Sequence, residues 1–369
     1  MKIFYVSNNQ LPTKKAHGIQ MVKMWEAFNL VGAECELIYP DRAIDPEIGQ
    51  RNISTFYSLD DGFKSRPIKS LNLVHFQFIP FLGKILFVLQ QFYFAKKVGK
   101  ILSKESGIIY TRDQFVAKEF IGTRFKVYWE IHNLSRNIYD IISRETLHRL
   151  DGIVVITENL RNELSKYYSG KILVARDGVD FDKFDVDLTK EDARFRLGLP
   201  VNKKIAMYVG HAYGWKGLDV LSRASEYFSE DEDLFLIGNH EKTAGKNINF
   251  IDHIAYDLVP TYLKAADCLL LTGDARFKIS SSFTSPLKMF EYMTSKRPIV
   301  AQRLDSFSEV LNLENSILVD PDNPEALYRG IKKAFYDQPL GAKISKNAYE
   351  EAKKFTWLNR ARSILDFVS

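Results

Sequence analysis

The chain has 369 residues, with 51 Lys and Arg against 46 Asp and Glu, giving a formal net charge of +5. Hydrophobic residues make up 46% and charged residues 26%, a globular composition that excludes disorder, collagen and coiled coil as the main state. At roughly 100–200 residues per domain, this length predicts two domains, each able to bury its own core.

The chain opens with an apolar run, Ile3 to Val6, then a polar loop from Ser7 to Gly18. A helical pattern follows (Ile19, Val22, Met24, Phe28, Val31), stopped by Gly32, and then a strand from Cys35 to Tyr39. Strand, helix and strand in this order make a βαβ unit and imply a parallel sheet. Further strands are predicted at 108–110, 127–131, 152–156 and 171–174, with helices between them. Asp180 to Asp192 is acidic and aperiodic and reads as a linker. Alternation then restarts, with strands at 205–209, 234–237, 268–271, 298–301 and 317–319. Helices are predicted at 217–228, 260–266, 286–294 and 324–335. The fold class expected is α/β, with two Rossmann-like halves meeting at a cleft. In such sheets ligands bind beyond the carboxyl ends of the strands.

Cys35 and Cys268 lie far apart without a CxxC, so neither a disulfide framework nor a zinc site is expected, and a reducing cytoplasm fits. The opening MKIFYVSNN is too short and polar for a secretory signal. No stretch reaches the roughly 18 apolar residues of a membrane span. The charge is uneven: between Lys84 and Lys126 nine Lys/Arg face three acids, which leaves +6 in one segment, more than the whole surplus. Residues 85, 88, 89, 92, 95 and 102 have the helical spacing of a buried stripe, leaving Phe87 and Phe94 beside Lys96, Lys97 and Lys100. Aromatics followed by lysines suit an anionic bilayer surface, and a core helix with a solvated basic end suits the pattern nearly as well. No nucleic-acid module is recognisable.

There is no G-x-G-x-x-G, P-loop, G-x-S-x-G or H-E-x-x-H. Three D-x-D strings (Asp185/Asp187, Asp231/Asp233, Asp320/Asp322) lie apart from other ligand-type residues and read as structural, so no metal is expected. The loop Gly210 to Gly217 follows a strand and opens a helix. Its glycines, His211 and Lys216 could cradle a diphosphate, and an ordinary βα turn with an exposed lysine fits equally. The run Ser285-Pro286-Leu287-Lys288-Met289-Phe290-Glu291 is sharper. Ser285 is a good N-cap and Pro286 a good first helical residue, and Lys288 and Glu291, three apart, share a face. One can hold an anion while the other accepts from hydroxyls. Glu130 and His132 alternate onto one face at a strand end, where His132 can meet a sugar hydroxyl or serve structure alone. Lys14, Lys15 and His17 sit in a loop that could touch an acceptor.

With these residues in view, the chain resembles a GT-B glycosyltransferase of family 4, the retaining nucleotide-sugar group, over nearly its full length. The resemblance rests on Tyr208-Val209-Gly210 with Lys216-Gly217, on Ser285 to Met293, and on Arg297-Pro298-Ile299-Val300-Ala301. Ala265-Ala266-Asp267, Asp177 to Asp180 before Phe184, and His17-Gly18 support it. The resemblance implies a nucleotide-sugar donor on the second half (181–354) and an acceptor on the first (1–180, joined by a returning C-terminal helix, 355–369). It implies catalytic roles for His132, Lys216 and Glu291. Donor contacts would come from Gly210, His211, Lys216, Gly238, Asp274, Ser285, Pro286, Leu287, Lys288 and Glu291, and acceptor contacts from His17, Gly18 and Glu130. The chain departs from the family at Phe283, where the first motif Glu would stand, and at His211, where an Arg is usual; Asp274 and Arg276 are candidate substitutes.

The activity expected is transfer from a nucleoside-diphosphate sugar to a hydroxyl of a glycan or lipid-linked saccharide. Anomeric retention is expected, without metal or cofactor, by a cytoplasmic enzyme that meets the inner membrane face through residues 84–126. A nucleotide-sugar epimerase of the same fold, or a non-catalytic membrane-associated scaffold, would show the same motifs. Nucleic acid is not an expected partner.

Overall fold

A computed structural model describes the chain apart from residues 43–47, 49–51, 58, 60–61, 74–81, 135–146, 212–213 and 239–244. It divides into two units, Met1–Ala175 with Trp357–Ser369, and Arg176–Thr356. The division falls a few residues before the expected boundary at 180. Arg176 to Asp180 belongs to the second unit because Asp177 N–H donates to Ser285 Oγ (3.2 Å) and Val179 N–H donates to the Phe355 carbonyl (2.9 Å).

The first unit holds β1 (Lys2–Val6), β2 (Glu34–Asp41), β3 (Ser65–Lys69), β4 (Ile108–Thr111), β5 (Lys126–Ile131), β6 (Gly152–Val155) and β7 (Ile172–Val174). Their order is β3-β2-β1-β4-β5-β6-β7, with every neighbouring pair parallel. The second unit holds β8 (Lys204–Val209), β9 (Glu232–Ile237), β10 (Ile248–Ile251), β11 (Cys268–Leu271), β12 (Ile299–Gln302) and β13 (Ile317–Val319). Their order is β10-β9-β8-β11-β12-β13, again all parallel. Both sheets start in the middle and reverse direction there, between β1 and β4 and between β8 and β11. This is the doubly wound pattern, and ligands bind at such switch points.

The core follows the pleat. Along β8, Ile205, Met207 and Val209 enter one buried cluster and Ala206 and Tyr208 another, so both faces are covered. The two strands not foreseen in the sequence, β3 and β10, each lie at one edge of their sheet, opposite β7 and β13, which were foreseen. In β3 (Ser-Arg-Pro-Ile-Lys) only Ile68 is buried, and Pro67 is tolerated because an edge leaves one side of the ladder unpaired.

The C-terminal helix Trp357–Val368 belongs to the first unit, where it packs on the helix Ala16–Leu30. Its buried residues, Trp357, Arg360, Ala361, Ile364 and Val368, form one stripe at helical spacing.

The helix Leu82–Ile101 corrects the sequence reading. Ile85, Val88, Leu89 and Phe92, expected in the core, are exposed, whereas Phe94 is fully buried with Ala95, Val98 and Leu102. The helix packs on Gln114–Phe120 through its second half, so the burial stripe is set there rather than by the more apolar first half. No helix among the described residues is long and apolar enough to cross a membrane.

Candidate active site

In the second unit the site grows from the carboxyl ends of β8, β9 and β11. Gly210 follows β8 with φ +141, and a Cβ there would meet Lys288 Nζ at 2.8 Å. Gly238 follows β9 with φ +127, and a Cβ there would lie 2.6 Å from the Gly210 carbonyl. Glycine is required at both because the two strand-end loops touch backbone to backbone and Lys288 lies across the first. His211 is half-buried, its ring 5.8 Å from that of His253.

The helix Leu287–Thr294 carries Lys288 and Glu291, and Tyr292 fixes it to the sheet: Val209 N–H donates to Tyr292 Oη at 2.9 Å. The Lys288 ammonium is out of contact with water, has no hydrogen-bond partner among the described residues, and lies 3.6 Å above the Tyr208 ring. Burial first, and neighbouring Lys216 second, push its pKa well below the ordinary lysine range, with Glu291 opposing. Lys216, ending a single 3₁₀ turn (Gly214–Lys216), lies 3.8 Å over the Trp215 ring, and burial pushes it down to about 8. Glu291 accepts from Tyr256 Oη at 2.9 Å, and burial raises its carboxyl to about 7, against the lowering effects of Tyr256 and Lys288. Two lysines at one strand tip, one desolvated, are costly alone and suit a ligand with two or more negative charges.

Other expected donor residues are placed differently. Pro286, not Ser285, is the N-cap, and no side chain caps the helix. Ser285 Oγ instead accepts from Asp177 N–H, so it ties the start of the second unit to the loop. Leu287 opens the helix. Asp274 is turned into its own loop: its carboxylate accepts from the Arg276 backbone N–H (2.9 Å) and from Arg276 Nε (2.9 Å) and a terminal guanidinium nitrogen (2.5 Å). Arg276 holds the Asp274 carboxyl below its usual range. The pair neutralises itself, so Asp274 is not an open substitute for the missing Glu. Phe283 is buried and closes one π-helical turn, Ile279–Phe283, just before this loop.

In the first unit the site lies at the ends of β1, β4 and β5. Glu130, in β5, is fully buried and accepts from Gln20 Nε2 (2.9 Å), an Arg360 guanidinium nitrogen (3.0 Å), Tyr110 Oη and His132 Nε2. Burial alone would raise its pKa, but Arg360 first and His132 next hold it well below the carboxylate range. Glu130 is therefore not an acceptor contact: its oxygens are saturated, and it orients His132, which is 20% exposed. His17 is half-buried, and desolvation with Arg112, Lys15 and His132 lowers it to about 4, leaving a neutral imidazole. Gly18 is required where a Cβ would lie 2.4 Å from both Thr13 Cγ2 and Tyr57 Oη. Arg112 donates to Gln20 Oε1 at 2.6 Å.

Sequence reasoning missed Tyr208, Tyr256, Tyr292, Arg112 and Arg360 as site-building residues. Tyr208, Tyr292 and Arg112 carried a signal, since two stand within the quoted motifs and Arg112 directly follows a strand. Tyr256 and Arg360 lie far along the chain from their partners and carried none.

These features define the class: a GT-B fold, two parallel Rossmann-like sheets in one chain, as the resemblance to a GT-B glycosyltransferase implied. Residues 189–351, most of the second unit, match the family described as glycosyl transferases group 1. A teichuronic acid biosynthesis glycosyltransferase of Bacillus subtilis strain 168, TuaC, is 25% identical over 204 residues, covering 54% of this chain and 50% of the relative. The chain thus spans about half the length of the curated relatives it matches. Among solved structures, sucrose-phosphate synthase from Thermosynechococcus elongatus superposes with a TM-score of 0.76 at 18% identity, covering 99% of this chain and 97% of that one. Anabaena HepE, solved in complex with UDP-glucose, superposes with a TM-score of 0.73 at 16% identity, covering 99% and 98%.

Proposed function

We propose that this chain transfers a sugar from a nucleoside-diphosphate sugar to a hydroxyl of a glycan or lipid-linked saccharide, with retention of anomeric configuration and membership of family 4. The observation that carries the reading is the water-excluded Lys288 ammonium beside Lys216 at the β8 tip, backed by a carboxyl, Glu291, poised near neutrality. The UDP-glucose complex of the structurally similar HepE supports a nucleotide-sugar donor.

In this reading Lys216, Lys288 and the uncapped start of Leu287–Thr294 receive the diphosphate, and Glu291 accepts from ribose hydroxyls. The anomeric C–O bond breaks and its electron pair leaves on the diphosphate. The acceptor oxygen forms the new bond on the same face, and its proton passes to the departing phosphate oxygen. Preorganised positive charge lowers the barrier, because charge develops on that phosphate. His132, oriented by Glu130, donates to a hydroxyl of the reacting sugars. The lysines supply the charge, so no metal or cofactor is required. Two buried thiols, Cys35 and Cys268, suit a reducing cytoplasm.

Thermal-shift titration with UDP, GDP and ADP, and with their sugars, tests the donor half. A nucleotide at about 100 times its Kd adds about 2.7 kcal/mol to wild type and nothing to Lys216→Ala or Glu291→Ala. Release of a glycosylated acceptor rather than an epimerised nucleotide sugar tests the transfer half. If no nucleotide stabilises the wild type, the donor reading falls.

A further inference from the structure

Two arginines stand just past the strand ends of the first sheet, at its switch point, and neither has an acid that balances it. Arg42 follows β2 and is only 9% exposed. Its terminal nitrogens donate to the Asn8 carbonyl (3.1 Å) and to Asn8 Oδ1 (3.0 Å), just past β1. Its Nε is buried and has no hydrogen-bond partner among the described residues. Burial pushes Arg42 down to about 10, with Asp113 opposing. Asp113 is a poor counter-ion. One of its oxygens accepts from the Phe115 and Val116 backbone N–H groups, at 2.9 Å each, and so caps the helix Gln114–Phe120. Burial raises its carboxyl to about 6. Arg112 follows β4 and donates to a neutral partner, Gln20 Oε1. Glu130 acts on Arg112 only through space, and its oxygens are already saturated. Arg112, Lys15 and His132 all act on His17, each lowering its pKa, so the positive groups gather around one side chain. Lys15 and His17 also flank the start of the helix Ala16–Leu30, whose first turn holds no acid and no side-chain cap. A helix start favours negative charge, and here bases surround it.

We infer that the saccharide entering the first unit is itself anionic, a sugar bearing a carboxylate or a phosphate, and that Arg112 and Arg42 receive that group. Desolvated cations without a counter-ion are costly unless a ligand brings the missing charge. An uncharged sugar would leave both guanidinium groups uncompensated. A planar guanidinium matches carboxylate and phosphate alike, because its parallel N–H groups meet two oxygens at once. Both forks are held by side-chain amides, Arg42 by Asn8 and Arg112 by Gln20, so little order is lost when the anion arrives. Calling this sugar the acceptor rests on the transfer reading above; the anion site itself does not.

Calorimetry on the full chain without nucleotide decides it, with glucose 6-phosphate, glucuronate and galacturonate as probes against glucose and galactose. Wild type binds at least one anionic sugar about tenfold or more tighter than its uncharged counterpart, and the tightest probe tells phosphate from carboxylate. Arg112→Gln weakens that binding about 10- to 100-fold, the loss of one charge-assisted contact. Arg42→Lys keeps the charge, loses the fork and weakens it about tenfold. Arg112 is only partly buried, so Arg112→Gln carries the test if the buried Arg42 variant does not fold, which melting curves show. No binding of any anionic sugar by wild type, equal binding of charged and uncharged sugars, or an Arg112→Gln chain that binds like wild type would each overturn the inference. Any nucleotide that stabilises wild type should stabilise Arg112→Gln equally. Loss of that shift would mean that Arg112 receives the donor diphosphate instead, and would overturn the inference too. A wild type that takes an anionic sugar but no nucleotide upholds the anion site and sinks only the donor reading.

Discussion

Replacing Lys288 by Met should stabilise the protein while removing nucleotide binding. Exchanging a buried ion for an apolar side chain of similar volume gains about 1–4 kcal/mol. The contact with Tyr208 at 3.6 Å, worth up to ~2 kcal/mol when desolvated, is lost in return. Toward the upper end of that range a net gain of about 2 kcal/mol remains, which at about 2–4 °C per kcal/mol for a unit of this size raises Tm by roughly 4–8 °C. The pH dependence supplies an internal check. Lys288 has a folded-state pKa below its unfolded one, so between the two values the unfolded chain binds the extra proton and wild-type stability rises with pH. The penalty that Met removes is therefore larger at pH 7 than near pH 10, and the Tm gap should narrow as pH rises. Differential scanning at both pH values, with and without a nucleoside diphosphate, measures all of this. A lower Tm for Lys288→Met at pH 7, or an unchanged nucleotide shift, would refute the assignment of Lys288 as an anion-binding group strained in the unliganded state.

Nucleotide affinity should peak in a narrow window. It should fall below about pH 7 as Glu291 protonates, and above about pH 8 as Lys216 loses its proton, as calorimetry across pH 6–9.5 would show. Arg360→Ala leaves the buried Glu130 carboxylate without its strongest cation and should cost about 3–5 kcal/mol in urea unfolding, with Glu130→Gln in the same chain recovering part of it. Gly238→Ala presses a methyl onto the Gly210 carbonyl at a positive φ. It should cost about 1–3 kcal/mol and weaken nucleotide binding by moving the β8 tip, both read by thermal shift.

Much of the fold was legible because its signals are local. Apolar runs such as Ile3–Val6 and Cys268–Leu271 are buried on both faces, as parallel strands require, and turn residues bound them. The edges β3 and β10 were not legible, since a strand with one neighbour needs little apolar content and Ser65–Lys69 supplies only Ile68 to the core. The helix Leu82–Ile101 misled for the opposite reason. Its apolar spacing was read correctly but assigned to the interior, and periodicity reports that a face exists without saying what covers it.

The site divides along the same line. Lys216, Lys288 and Glu291 were visible because each stands a fixed few residues from a strand end or helix start. Their electrostatic states were not, because those depend on Tyr208, Tyr256 and the desolvation that packing imposes. Asp274 shows the limit: as a residue type it looked like a spare carboxylate, and only the bidentate contact with Arg276 shows its charge already balanced. Glu130 went the same way, drawn under His132 by Arg360 from the far end of the chain. In both units an acid is already paired with an arginine, Asp274 with Arg276 and Glu130 with Arg360, while the lysines at the β8 tip are left against aromatic rings. That asymmetry selects a polyanionic ligand, because two ammonium groups held together at a cost to stability are stabilised most by one that brings both charges at once.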